Sequence, residues 1–461
     1  MISLEDAIKR YNIPVPRYTS YPPANLFSDR YNSEDLRRDI IESNQRGERD
    51  LSFYIHIPFC RQICHFCACN KILLPKDEAS IEQYINYLLK EFDLIAPLIE
   101  SDRKIVQIHF GGGSPTSTPS NYISAIVERL TSKFDLKSDG HEIAIEIHPG
   151  YVGREEWERL IELPFTRYSI GIQDFSEEIL KGVHRQPSLV PIGEVVEQIH
   201  AAGKRVNLDF IYGLPGQSAV SFSKSIERAV GIRPDRIVTF SYAHVPWIHK
   251  QQKTLERRGL PSVEEKEQMY NAASQLLTDA GYRQIGLDHF VLPDDPLAVA
   301  QSEHQLHRNF QGYCPLELSG QVYALGITGI SQLFDSYAQN LKSLAPYYEA
   351  LDADELPTFI GYKLTPEECM ARDIITDLMC NYRTAPLHHV RRYGLELSSL
   401  SQLPFLDYKA LEVMAEDGLL TITDEEEIVM NPEAHLFVRN VAAAFDQYYN
   451  PESPKGYSKP I

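Results

Sequence analysis

Four cysteines fall within ten residues, in the run Cys60-Arg-Gln-Ile-Cys64-His-Phe-Cys67-Ala-Cys69, and the whole chain holds seven. The run follows the strand-like segment Leu51–Ile57. Thiols gathered this way are ligands rather than packing, and they point to a metal or iron–sulfur site. Structural zinc ordinarily uses two ligand pairs set well apart in sequence. Here all four thiols lie in one short loop, where Cys67 and Cys69 crowd each other. Three thiolates on a four-iron cluster are more comfortable and leave one iron open to a ligand. Ligand arithmetic alone does not choose iron over zinc.

The 461 residues exceed one typical domain, so a large barrel with an appendage or two domains is expected. With 45 basic and 64 acidic side chains the formal charge is −19, a field that repels nucleic acid and anionic lipid. A locally basic pocket for an anionic small molecule is compatible with it. Clustered cysteines fit a reducing compartment. No apolar run reaches the roughly 18–20 residues of a membrane span, and the first residues do not read as a secretory signal. A cytoplasmic monomer without nucleic-acid or membrane partners is the expectation.

From residue 51 a regular alternation begins. Strands are expected at Leu51–Ile57, Lys104–Phe110, Glu142–His148, Arg167–Gln173, Arg205–Tyr212 and Arg236–Ala243. Helical spacing lies between them, as in Ile81, Tyr84, Ile85, Leu88, Phe92 and Ile95. Such a chain forms a parallel α/β sheet, and the polar–apolar alternation within strands turns one face into a barrel interior. Chemistry-bearing residues cluster at or beyond strand carboxyl ends, where such sheets place active sites. No G-x-G-x-x-G follows the first strand, so a complete or partial TIM-like (β/α) barrel is favoured over a Rossmann sheet.

Residues 1–48, with Pro14, Pro16, Pro22 and Pro23 among tyrosines, read as an arm that could act as a lid. The barrel is expected over 49–360. A mainly helical, winged-helix-like module is expected over 361–461, and its Asp424-Glu-Glu-Glu427 run makes a structural cap a better reading than DNA binding.

The spacing Cys60-x3-Cys64-x2-Cys67 resembles the signature of radical S-adenosylmethionine enzymes. Further segments resemble the oxygen-independent coproporphyrinogen III oxidase family. These are Tyr54-Ile-His56, Gly111-Gly-Gly-Ser-Pro-Thr116, Gly171-Ile-Gln173-Asp174-Phe175, Asn207-Leu-Asp209 and His307-Arg-Asn-Phe-Gln-Gly-Tyr313. The resemblance implies a [4Fe–4S] cluster on Cys60, Cys64 and Cys67, with Cys69 not a ligand. It implies S-adenosylmethionine bound by Phe66, Gly111, Gly112, Gly113, Glu146, Gln173, Arg185, Asp209, Ala243 and Ile330. Tyr54 and His56 share a parity on the strand entering the cysteine loop and are candidate catalytic groups. The implied substrate, coproporphyrinogen III, carries four propionates, for which Arg17, His289, His307 and Arg308 are the candidate partners.

The implied reaction turns the ring A and B propionates into vinyl groups, giving protoporphyrinogen IX. It needs a low-potential, flavodoxin- or ferredoxin-like electron donor and an electron acceptor that the sequence does not name. Two departures from the family pattern stand out. The segment Ser319-Gly-Gln321-Val-Tyr323 lacks two acidic residues, and His148 stands where an aspartate is usual. The first departure bears on whether a second S-adenosylmethionine binds. A heme-processing radical methyltransferase and a non-enzymatic heme carrier are the alternative readings. The N-terminal arm and Cys69 favour the decarboxylase.

Overall fold

The computed structural model describes residues 2–451. Its core is one twelve-stranded sheet. In chain order the strands are β1 Leu51–Ile57, β2 Ile105–Gly112, β3 Glu142–Ile147, β4 Arg167–Gln173, β5 Arg205–Tyr212 and β6 Arg236–Ser241. They continue as β7 Arg283–Ile285, β8 His289–Val291, β9 Gln321–Leu325, β10 Ile330–Gln332, β11 Ser336–Asn340 and β12 Thr358–Lys363. The order across the sheet is β12-β11-β10-β9-β1-β2-β3-β4-β5-β6-β8-β7. From β9 through β6 every neighbour is parallel, and the strands beyond are antiparallel. The two ends, β12 and β7, do not pair with each other, so the barrel is partial.

The six strands expected from alternation are all present, with ends shifted by a few residues. Their apolar set (Phe53 and Ile55, Ile108 and Phe110, Ile145, Tyr168 and Ile170, Leu208 and Phe210) is fully buried on the outer face. Outer helices cover it: Glu78–Ile95, Ser120–Thr131, Arg154–Glu162, Ile192–Ala201, Ala219–Ile232 and Val263–Asp279. Each such large apolar side chain contributes roughly 1.5–3 kcal/mol. The alternate residues point inward and are mostly polar, with exceptions such as Ala144 and Val238. At the amino-terminal floor Arg167 forks onto Glu142 at 2.8 and 2.9 Å. Burial works to raise the Glu142 pKa, but Arg167 overrides it and holds the carboxylate well below its usual range.

Apart from β9, which runs parallel to β1, the strands of 283–363 pair antiparallel, and all of them are short, which is why the alternation fades there. The last of them runs to Lys363. Beyond it lie helices Pro366–Asn381, Pro386–Arg392 and Tyr408–Glu416 with a three-stranded antiparallel sheet of Arg383–Thr384, Leu420–Ile422 and Ile428–Met430. Residues 452–461 of the expected C-terminal module lie outside the described residues.

The N-terminal arm is ordered by two different partners. Ala7, Tyr11, Tyr18 and Tyr21 pack into the core of the C-terminal module. Tyr11 donates to Asp417 at 2.5 Å, Tyr18 to Asp446 at 3.0 Å, and Asn440 to the Tyr11 carbonyl at 3.0 Å. Further on, Ser28 bridges to Gly361 of β12, and Tyr31, Leu36 and Ile40 join the main core. The arm therefore ties the C-terminal module to the open edge of the sheet.

Candidate active site

The cysteine loop leaves β1 and is pinned over the carboxyl end of the sheet by backbone contacts. The His65 amide donates to Val183 O at 3.0 Å, and the His65 and His184 rings stack at 4.9 Å. Gln252 donates to Phe66 O at 3.0 Å, while Gln251 and Lys71 each donate to Cys67 O at 2.8 Å. All four thiols are free. Their electrostatics differ. Burial pushes Cys60 up to about 12. A hydrogen bond from Cys69 brings Cys67 down to about 6, against the effect of burial and with help from Lys71. Burial also raises Cys64, opposed by Arg185, whose Nη1 lies 3.5 Å from its Sγ.

Next to this loop the β2 end presents Gly111, Gly112 and Gly113. A Cβ on Gly113 would come within 2.5 Å of Pro58 O, and one on Gly111 within 2.9 Å of the Glu146 carboxylate. Gly112 has φ +114°, and a Cβ there would strike the His56 ring at 2.7 Å. The run is glycine because backbone must pass between the cysteine loop and the chamber. Gly171 serves the same end on β4, where a Cβ would meet Gln173 and Arg185 at 2.8 and 2.9 Å.

Inward side chains from successive strand ends then line one cavity of about 690 Å³ that includes Tyr54, His56, Cys69, His109, Glu146 and Ile330. Tyr54 OH is 3.2 Å from His56 Nδ1, and His56 Nε2 is 3.2 Å from Asn70 O. A carbonyl only accepts, so Nε2 carries the proton and Nδ1 accepts from the tyrosine. Burial lowers His56 to about 4, so it is neutral at pH 7. Tyr54 is raised by burial and then by Glu146. His109 stacks on Tyr54 at 5.9 Å and lies 3.1 Å from Glu146 Oε1.

On β4 and β5, Arg185 donates to Gly171 O, Ser169 to Asp209 at 2.9 Å and Asn207 to Asp209 at 2.8 Å. Burial raises the Asp209 pKa, and the two donors oppose it. Gln173 adopts φ +68°, and its buried Oε1 has no partner. A strained backbone and an unfilled acceptor beside a glycine cradle mark a place shaped for a ligand. Phe66 packs beneath with Leu214 and Tyr242, and Gln252 also holds the Ala243 carbonyl at 3.2 Å. Three free thiols, one of them favoured as thiolate, form a donor set suited to an iron–sulfur cluster. Among the described residues no three His, Cys, Asp or Glu side chains are gathered closely enough for a single metal ion.

None of the four candidate propionate partners lines this cavity of about 690 Å³, and Arg17, His289 and Arg308 instead surround Asp288. His289 is on the inward face of β8, 2.7 Å from Asp288 and edge-on to Tyr313. His307 lies in the hairpin Leu306–Asn309/Gly312–Pro315 and feels Asp373 and Asp377. Arg308 lies over Tyr313 at 4.6 Å, with its Nε unpartnered. Arg17 opens onto a separate cavity of about 1270 Å³, 3.6 Å from Asp288.

The departure at Gln321 and Tyr323 also falls elsewhere. Gln321 is opposite Leu51 and Tyr323 opposite Phe53, so both point outward. Gln321 donates to the carbonyls of Ser43, Arg46 and Glu48, and Tyr323 is bonded to Ser43 and Arg103. They hold the end of the N-terminal arm against β9, away from the chamber. His148 is nearer, with Nε2 buried and unpartnered, and burial and Arg185 together bring it down to about 2.

Asn70, Lys71 and Gln311, which belong to segments resembling the family, line the chamber, and so do His109 and Thr328, which no motif marks. His109 shares the parity of Gln107 and Gly111 on β2, a signal that was available.

A radical SAM superfamily model matches residues 54–229. The oxygen-independent coproporphyrinogen III oxidase of Synechocystis sp. is 37% identical over 97% of this chain and 96% of its own. That of Escherichia coli is 36% identical over 96% and 94%. The solved structure of the Escherichia coli coproporphyrinogen III oxidase, a radical SAM enzyme, superposes with TM-score 0.87 at 35% identity, covering 97% of this chain and all of that one. The chain belongs to the oxygen-independent coproporphyrinogen III oxidase family of the radical SAM superfamily.

Proposed function

We propose that this chain oxidatively decarboxylates the ring A and B propionates of coproporphyrinogen III to vinyl groups in heme biosynthesis, yielding protoporphyrinogen IX. The observation that carries the reading is likeness to curated oxidases along nearly the whole chain, including 37% identity to the Synechocystis sp. enzyme. In this reading Cys60, Cys64 and Cys67 hold a [4Fe–4S] cluster. S-adenosylmethionine lies against Gly111–Gly113, with Glu146, Gln173, Asp209 and Arg185 as polar partners and Phe66, Ala243 and Ile330 beside the adenine.

When bound and reduced, these groups supply a 5′-deoxyadenosyl radical. The chemistry they would supply is loss of one hydrogen atom from the carbon β to the propionate carboxylate. The substrate then loses carbon dioxide and one electron to an acceptor, and the two side-chain carbons become the vinyl group. The chain's own residues set the geometry of that step. Arg185 joins the Cys64 sulfur to the β4 strand end. The glycine run brings backbone against the cysteine loop. The Tyr54–His56 pair lines the reaction chamber as a neutral hydrogen-bonded unit. It offers polarity without a fixed charge, which suits an uncharged radical intermediate.

The domain arrangement we favour is an arm, a radical SAM barrel and a C-terminal cap. A low-potential flavodoxin- or ferredoxin-like donor and a monomeric chain complete the proposal. Among the described residues no helix is long and apolar enough to cross a membrane.

The test is anaerobic turnover. Reconstituted protein given reductant, S-adenosylmethionine and coproporphyrinogen III should form mono- and divinyl products with 5′-deoxyadenosine. Methyl transfer to heme, or tight heme binding without turnover, would overturn the reading.

A further inference from the structure

The larger of the two cavities described above, about 1270 Å³, lies on the other side of the sheet from the reaction chamber. Register shows this. Asp209 pairs with Val238 on the inward face, so Phe210 with Thr239, and Tyr212 with Ser241, face outward. Tyr212, Thr239 and Ser241 line the cavity, together with the outward helix Val263–Asp279, the β7–β8 turn and the C-terminal module.

Its charge is opposite to that of the chain. Arg17, Lys266, Arg283, Arg383 and Arg439 line it against only Glu267 and Asp288, in a protein of net charge −19. Two of the five are already committed. Arg383 pairs with Glu427 at 2.5 Å, and Arg439 donates to the carbonyls of Val15 and Pro16. Lys266 reaches a carbonyl, Tyr242 O, at 3.1 Å. Asp288, the carboxylate nearest Arg17, is shared with His289. Lys266 and Arg439 are each lowered by burial and then by the Arg17 charge. Cations held together against their own repulsion are stabilised by an anion.

The walls between these charges are aromatic and apolar. Tyr212 and Tyr270 face across at 5.9 Å, and Tyr382 stacks on His435 at 3.7 Å beside Met430 and Leu436. A small inorganic anion would leave most of this space unfilled. A ligand with a broad unsaturated body and several carboxylates matches both the volume and the charge.

We propose that this outward cavity is a second binding site for a propionate-bearing tetrapyrrole, separate from the reaction chamber. The inference rests on the substrate reading above and adds a place where substrate or product is held outside the barrel. Asp288 is the wall between the two compartments, with one oxygen toward Arg17 outside and the other toward His289 inside.

The test uses the reconstituted enzyme and the stable fluorescent tetracarboxylate coproporphyrin III as probe. Binding is titrated in the wild type, in R283E, and in K266E/R283E, with K266R/R283K as the charge-conserving control. Loss of one binding site, or at least a tenfold weakening of it, in K266E/R283E and retention in the control is expected. Arg283 is exposed, so R283E alone should weaken binding in a protein that still folds. Probe binding unchanged by charge reversal, or no binding by the wild type, would overturn the inference. Decarboxylation at saturating substrate is measured alongside and should persist in K266E/R283E. Failure of turnover in the wild type would instead count against the substrate reading.

Discussion

Arg185 Nη1 lies 3.5 Å from the Cys64 sulfur, and the same guanidinium donates to the Gly171 carbonyl at the end of β4. One side chain therefore links the cysteine loop to the strand end that carries Gln173. A lysine there has a single ammonium and cannot span both. Arg185→Lys should weaken S-adenosylmethionine binding about tenfold, the equivalent of ~1.4 kcal/mol. Iron content should stay unchanged. Isothermal titration of reconstituted protein checks the first expectation and iron analysis the second.

Cys67 is favoured as thiolate because Cys69 donates to it. Serine at position 60, 64 or 67 should abolish the visible cluster absorption and S-adenosylmethionine cleavage together. Cys69→Ser keeps a donor and should retain cluster iron at the wild-type level. A Cys69→Ser protein that cannot be loaded with iron would make Cys69 a ligand and contradict the assignment.

His56 is neutral through the physiological range, since burial lowers it to about 4. A histidine depressed in the folded state contributes stability that is complete above its unfolded value near 6.5. That contribution is lost as pH falls toward 4, because the unfolded chain takes up the proton first. His56→Ala should flatten the fall in stability between about pH 6.5 and 4 and slow decarboxylation about 100-fold. Tyr54→Phe removes the donor to Nδ1 and should have a smaller effect on rate in the same direction. Denaturant melts across pH and single-turnover rates provide the two readings.

Glu91 is 1% exposed and accepts from the Gly326 amide at 2.7 Å, Asn340 at 2.6 Å and Tyr347 at 2.6 Å. It holds the loop after β9 whose Thr328 lines the chamber. Burial raises its pKa to about 7, partly offset by those donors. A carboxyl raised in the folded state costs stability as pH climbs from its unfolded value near 4.5 to about 7. Glu91→Gln should remove that slope and lower stability at pH 5 by about 1–3 kcal/mol, since Asn340 then faces another amide donor. Chemical denaturation at pH 5 and 8 resolves both effects.

The parallel strands were legible because alternation in a barrel separates an apolar outer set from a polar inner set, as in Phe53 and Ile55 against Tyr54 and His56. Motif spacing placed the cysteine loop, and strand-end position pointed to Glu146 and Asp209. What stayed hidden depends on contacts far apart in sequence. The short antiparallel strands after residue 283 have too few residues for a period to register. The departure at Gln321 and Tyr323 bears, by sequence, on a second cofactor site, but register turns both outward against Ser43 and Arg103. Arg17 reads from sequence as a candidate propionate partner in a proline-rich arm, with no sign of which cavity it faces. Only the packing of that arm against Arg439 carries it to the outer cavity.

The central claim is that the Cys60–Cys67 loop holds a cluster with one iron open to S-adenosylmethionine. Electron paramagnetic resonance of the anaerobically reduced protein, recorded with and without S-adenosylmethionine, tests this most directly. The account predicts a [4Fe–4S]⁺ signal that changes on adding the cofactor and is absent from Cys64→Ser. A cluster spectrum indifferent to S-adenosylmethionine, or a protein that binds only zinc, would contradict it.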